Sequence, residues 1–201
     1  MILTTDNKEA LAYFKEKDSI LYQKMIEIGI VEREGTSEPF TALVESILSQ
    51  QISTKAALTV KSRLLDLVGN ITYQSILSLD REDLKSIGIS YRKCDYLIAL
   101  AQAVESKQID FSTFNNLSNQ DIINQLIQLP GIGVWTAEMF LLFCMKRQDV
   151  ISYGDLMIRE GMKKLYGYEH LDKKVFNQHA SIYNGYASIV SLYLWVISKE
   201  I

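Results

Sequence analysis

Apolar residues recur along most of this chain at intervals of three and four, the signature of helices with one buried face. Phe40, Leu43, Val44, Ile47 and Leu48 fall at i, i+3, i+4, i+7 and i+8. Pro39 precedes them and suits a first helical turn, where a missing N–H costs nothing. A second helix carries Leu58, Leu64, Leu65 and Val68 and stops at Gly69-Asn70. Shorter units follow at Ile71–Leu79, Asp80–Ile87 and Arg92–Ser106, the last with a stripe of Leu97, Ala101 and Val104. Ser118 or Asn119 is placed to cap Asp121–Gln128, whose Ile122, Ile123, Leu126 and Ile127 face a core. Val134–Lys146, Leu156–Tyr166, Lys173–Ala180 and Tyr183–Ser198 continue the pattern, and residues 1–38 also read as helical. No segment alternates apolar and polar residues, so no sheet is expected. The expected fold is all-α.

Composition narrows the class. With 48% hydrophobic and 22% charged residues, the 201-residue chain can bury a core and is not a disordered one. Its net charge of −3 weighs against a dedicated nucleic-acid binder, which is usually basic. Any such contact must therefore be local. Basic pairs occur at Arg92/Lys93, Lys146/Arg147, Lys163/Lys164 and Lys173/Lys174. Neither Cys94 nor Cys144 belongs to an iron–sulfur or zinc set, and Cys144 sits in the apolar run Met139–Met145 as an expected buried thiol. The N-terminus meets Asp6, Lys8 and Glu9 before any secretory core, and the apolar stretch Ala187–Ile197 is too short to span a bilayer. No membrane association and a reducing, cytoplasmic setting are expected.

The most informative segment is Leu129-Pro130-Gly131-Ile132-Gly133-Val134-Trp135-Thr136-Ala137, between two expected helices. Pro130 ends the first helix, because its ring disfavours helical geometry at Leu129 and it has no N–H. Gly131 and Gly133 permit positive φ and leave room for something to approach the backbone. Ile132 between them is expected to tuck inward. The second helix starts directly after Gly133, so its opening amides point out of the turn and suit a phosphate. An ordinary turn between helices would need only one glycine.

With this hairpin, three further blocks carry a family likeness. They are Leu43-Val-Glu-Ser-Ile-Leu-Ser-Gln-Gln-Ile-Ser53, Leu84-Lys-Ser-Ile-Gly-Ile-Ser-Tyr-Arg-Lys93, and the Asp155 segment with the aromatic last helix. Together they resemble the helix-hairpin-helix (HhH-GPD) DNA glycosylases, and within these the 3-methyladenine DNA glycosylase II (AlkA-type) branch. The likeness runs from about Phe40 to Trp195. It implies a single two-lobed helical domain over residues 1–201, with a DNA-binding cleft between lobes. One lobe would span residues 38–115, the other 1–37 with 116–201, and the helix-hairpin-helix 121–146. Residues 1–38 stand where longer AlkA-type enzymes have an extra β domain.

The resemblance also assigns roles. Asp155, 22 positions after Gly133, would be the catalytic carboxylate beside the sugar of a flipped nucleotide; without the likeness it reads as a helix N-cap. Trp135 and Trp195 match aromatic positions that stack on the base, with Met139 and Tyr153 as further pocket residues. Gln51 before Gln50 would plug the gap left by the flipped nucleotide, with Ser53 beside them. Ser90, Arg92, Lys93, Leu129, Gly131, Gly133 and Thr136 would contact the DNA backbone. Leu129 would lend its carbonyl to a monovalent cation, Na+ or K+; no other cofactor is implied. Strand-cutting members carry lysine where Trp135 stands, and Trp135 cannot form an imine. The implied activity is a monofunctional glycosylase acting as a monomer on double-stranded damaged DNA, nucleoid-associated in a bacterium. It would release alkylated, cationic purines such as 3-methyladenine and leave an abasic site. Alternatives are a glycosylase for deaminated or mismatched bases and a non-catalytic module that binds DNA structure. His170 and His179 lie outside every motif and read as surface or capping residues.

Overall fold

The computed structural model describes residues 1–200. In chain order, a short strand β1 (Ile2–Thr4) precedes helices α1 (Lys8–Lys17) and α2 (Ser19–Ile28) and a strand β2 (Glu32–Glu34). Then come α3 (Pro39–Ser49), α4 (Thr54–Val68), α5 (Tyr73–Leu77), α6 (Arg81–Ser86) and α7 (Tyr91–Glu105). A 3-10 turn at Phe111–Asn116 leads to α8 (Asn119–Leu126) and α9 (Val134–Phe143). The chain closes with α10 (Leu156–Tyr166), α11 (Lys173–Ile182) and α12 (Ala187–Ile197). The helical expectation holds apart from the two short strands, both of which lie within residues 1–38.

Two compact units form: Met1–Gly35 together with the chain from Leu141 onward, and Thr36–Phe140. The first break comes at Gly35/Thr36, two residues before the lobe start at residue 38 that the family likeness implied. The second comes at Phe140 rather than near residue 115, which groups α8 and the hairpin with the central unit. The aromatic contacts Phe111–Phe140 and Phe114–Phe140, with centroids 6.2 and 6.1 Å apart, tie the second half of α9 to the turn before α8.

In the central unit, α7 packs against α3, α5 and α6, burying Leu97, Leu100 and Ala101 with Leu43, Ile76 and Leu84. Short helices are marginal alone, so their starts are capped. The side chains of Ser53, Thr72, Asp80, Ser90 and Ser118 each accept the amide three residues on. Each such cap contributes roughly 1 kcal/mol.

In the terminal unit, α12 is buried without interruption from Ala187 to Leu194, which accounts for its apolar run. It lies so close to α10 that a Cβ on Gly161 would stand 2.1 Å from the Leu194 carbonyl oxygen. Among the described residues no helix is long and apolar enough to cross a membrane. A small antiparallel sheet forms where none was expected, pairing Leu3 with Arg33. Three-residue strands that bury only Leu3 are too short for alternation to register. Two helix ends also differ. α9 stops at Phe143, because Lys146 turns left-handed (φ +52°) and the Arg147 N–H closes onto the Leu141 carbonyl at 3.0 Å. α12 begins at Ala187, not Tyr183, after a turn through Gly185 (φ +79°).

Candidate nucleic-acid interface and carboxylate site

The hairpin is a turn of the type II pattern. The Leu129 carbonyl accepts the Ile132 N–H at 3.2 Å, with Pro130 and Gly131 at the two central positions. Gly131 has φ +86°, which such a turn demands at its second centre. A Cβ there would also lie 2.3 Å from the Tyr96 ring. Ile132 and Leu129 are buried, so the turn is pinned from beneath. Gly133 is different. It is outside the left-handed region, and an added Cβ would meet nothing within 4 Å. Its carbonyl accepts the Ala137 N–H at 3.0 Å, which makes it the residue from which α9 springs. The opening amides of α9 precede the helix's own bonding and carry the positive end of its dipole. Thr136 is buried, so a contact there would come from its backbone.

A second loop lies against this turn. α3 ends at Ser49, and Gln51 follows with φ +57°, a conformation costing a non-glycine residue about 1–2 kcal/mol. Its side chain is exposed, whereas Gln50 turns inward and donates from Nε2 to the Gly131 carbonyl at 2.7 Å. Of the two amides, Gln51 is therefore the one left at the surface. Lys93 is half-buried, and its ammonium donates to the carbonyls of Leu48 and Gln50, each at 2.7 Å. Burial lowers its pKa from the ordinary lysine value. Two of the three N–H donors of Lys93, expected to meet phosphate, are thus engaged inside the protein. Arg92 is exposed and bonds Tyr96 Oη through Nε; Ser90 and Ser53 are exposed and cap α7 and α4.

Asp155 caps α10. It is 7% exposed, and its Oδ1 accepts both the Ile158 N–H at 3.0 Å and Trp195 Nε1–H at 3.2 Å. Charge-assisted bonds of this kind fix a carboxylate's orientation more firmly than neutral ones. The Trp195 ring is stacked on Phe143, with centroids 5.5 Å apart and planes at 16°. One face is thus covered by protein and the indole edge serves the carboxylate. Trp135 is 48% exposed at the mouth of α9, while Met139 one turn on is buried. Tyr153 sets its edge against Phe176 at 5.2 Å, with the Arg159 guanidinium 5.1 Å over its ring.

Three features were not anticipated. Tyr96 braces Gly131, and Phe143 backs Trp195; both sit in ordinary helical stripes with nothing local to mark them. The third is a buried polar cluster. Tyr166 Oη donates to Asp18 Oδ2 at 2.5 Å and lies 2.8 Å from Tyr183 Oη. His179 stacks on Tyr166 with centroids 3.9 Å apart and meets Tyr168 Oη at 3.0 Å. It is half-buried, its ring held against Tyr166 by stacking rather than free at the surface as expected; burial lowers its pKa. His170 is exposed as expected.

This geometry has counterparts. A family model described as HhH-GPD superfamily base excision DNA repair protein matches residues 44–184. The chain belongs to this superfamily. Among curated HhH-GPD relatives, DNA-3-methyladenine glycosylase 1 of Schizosaccharomyces pombe is 34% identical over 167 residues, which cover 81% of this chain and 73% of that protein. The crystal structure of a DNA-3-methyladenine glycosidase from Bacillus halodurans superimposes with a TM-score of 0.90 at 34% identity, covering 99% of this chain and 93% of that one. The S. pombe 3-methyladenine DNA glycosylase in complex with abasic DNA gives a TM-score of 0.80 at 30% identity, over 94% of this chain and 95% of that one.

Proposed function

We propose that this HhH-GPD protein is a monofunctional DNA glycosylase that flips alkylated, cationic purines such as 3-methyladenine out of duplex DNA and hydrolyses their N-glycosidic bond. The observation that carries this reading is Asp155, a buried carboxylate held by two donors at the start of a helix. Breaking the glycosidic bond builds positive charge on the sugar. A fixed carboxylate near C1′ stabilises that charge without reorganising and orients the attacking water. The base already carries a positive charge and departs as a neutral molecule, so no general acid is required. Trp135 offers a half-exposed indole on which such a base stacks by cation–π attraction. An indole cannot form the imine that strand cleavage needs, so the product is an abasic site.

The DNA contacts follow from the hairpin. Phosphate oxygens meet the opening amides of α9, where Gly133 leaves the approach clear. Gln51 fills the gap in the base stack. The Leu129 carbonyl accepts one N–H and retains a second lone pair, which fits a Na+ or K+ held by backbone oxygens. The protein acts as a monomer on damaged duplex in the cytoplasm. The names of its relatives, glycosylases and a glycosidase of 3-methyladenine, support the substrate class.

Asp155→Asn tests the reading. Asparagine caps helices as well as aspartate, so the fold is expected to persist. Release of methylated purines should fall by about 10²- to 10³-fold, with binding to the same duplex within a few-fold of wild type. Unchanged release would overturn the assignment, and strand cleavage by the unaltered protein would overturn its monofunctional part.

A further inference from the structure

Lys93 carries a positive charge into a half-buried position in a chain whose net charge is already negative. It forms no salt bridge among the described residues. Its two acceptors are carbonyls at the C-terminal end of α3, where a helix leaves acceptors without amide partners and its dipole is negative. One of them, Gln50, reaches on through its side chain to the Gly131 carbonyl in the hairpin turn. Three residues after Lys93, Tyr96 packs on the same glycine. One end of α7 thus holds both loops that face DNA: the loop bearing Gln51 in its strained conformation, and the hairpin.

We infer that Lys93 is a positioning residue, which through Gln50 locks the Gln51 plug loop to the hairpin turn so that the two engage DNA as one rigid element. The inference rests on the glycosylase reading for its consequence in catalysis, and on the hydrogen bonds alone for the coupling. A plug preset in a left-handed conformation need not be ordered when the base leaves the stack. Without the clamp, that ordering is added to the cost of opening the base pair. The clamp therefore matters where flipping is difficult and matters little where the duplex is already open.

Lys93→Met keeps the stem and removes the ammonium; Gln50→Met removes the bridge. Single-turnover release of a methylated purine is measured from two duplexes, one with the normal partner opposite the lesion and one with an abasic analogue there. Both variants are expected to lose roughly tenfold on the paired duplex and less than about threefold on the opened one. The double variant should be no slower than the slower single one, because the two residues act as a unit. Equal losses on both duplexes, no loss on either, or additive losses would overturn the proposal. Hydrogen–deuterium exchange supplies a readout that needs no activity. Lys93→Met should speed exchange of the amides in residues 48–53 and in residues 129–134 together. Loosening of the first segment alone would refute the coupling even if the unaltered protein released no base, a result that would separately defeat the glycosylase reading.

Discussion

The two hairpin glycines make opposite predictions. Gly131 is required by the protein itself: its φ of +86° is one that L side chains rarely adopt, and a Cβ would stand 2.3 Å from the Tyr96 ring. Gly131→Ala adds backbone strain of about 1–2 kcal/mol and overpacking of about 1–3 kcal/mol. The melting temperature should drop by roughly 5–15 °C for a domain of this size. Gly133 has open space around its Cβ position and no left-handed φ, so nothing inside the molecule asks for glycine there. Serine is at least as good an N-cap, so Gly133→Ser should leave the melting temperature within about 2 °C of wild type. Yet a side chain at that point obstructs the amides of α9. Losing a charge-assisted bond from backbone to phosphate costs about 1.5–3 kcal/mol, or roughly 10- to 100-fold in affinity. Thermal unfolding and fluorescence anisotropy with a labelled duplex would measure both quantities on both proteins. A Gly133→Ser protein that binds DNA like wild type would refute the claim that phosphate approaches the backbone at this turn. An equally destabilised Gly133→Ser protein would refute the claim that its constraint is external.

Trp195→Phe retains a ring to stack on Phe143 but deletes the Nε1–H that Asp155 Oδ1 accepts at 3.2 Å. Release of methylated purine should slow about tenfold or more with DNA affinity unchanged, and a rate equal to wild type would show that the indole edge does not orient the carboxylate. Burial pushes the phenol pKa values of Tyr166 and Tyr183 above their ordinary 10.0. The folded state then keeps protons that the unfolded chain loses, so their stability contribution is full below about pH 10 and declines by about 1.4 kcal/mol per pH unit for each phenol above it. Urea unfolding in that alkaline range should show a shallower decline for Tyr183→Phe, and an unchanged slope would exclude Tyr183 as a source. Finally, DNA affinity should vary only modestly with salt, with a log–log slope no steeper than about −4; a slope near −8 would point to a broad basic contact face.

How much of this was legible in the sequence depended on distance along the chain. Helical periodicity, the Ser and Asp caps, and the Pro-Gly-Ile-Gly turn all arise from residues within a few positions of one another. They appear in the structure nearly where the pattern put them. The sheet was lost because Ile2–Thr4 and Glu32–Glu34 are too brief to alternate visibly. The site was half legible. Asp155 could be read as a helix cap from its neighbours alone, and it is one. Its partnership with Trp195 spans 40 positions and could not be read. Gln50 and Lys93 were expected to reach outward to DNA. Their polar groups turn inward because α3 ends beside α7, leaving carbonyls that an adjacent ammonium and amide satisfy. No local pattern distinguishes a lysine that meets a phosphate from one that caps a helix.

The inward turn of Lys93 bears on the oldest difficulty in the sequence, an acidic chain offered as a DNA-binding protein. The basic pairs seemed the natural remedy, but several of their members are engaged within the fold. Lys93 holds α3, Lys163 meets Glu160 at 3.1 Å, and Lys164 donates to the Ser198 carbonyl at 2.9 Å. On the proposed reading, the attraction then draws also on groups that do not count in a formal charge. The amides opening α9 are such groups. They carry a partial positive charge whatever the side chains nearby, and they act only at contact range. On that reading each feature of the turn before them has a use: Gly131 for a conformation nothing else adopts without strain, Gly133 for clearance, and the Gln50 bridge for rigidity. A protein that attracts phosphate through a broad basic surface can tolerate a loose loop. One that relies on a few backbone dipoles cannot, since a displacement of 1 Å removes most of the bond.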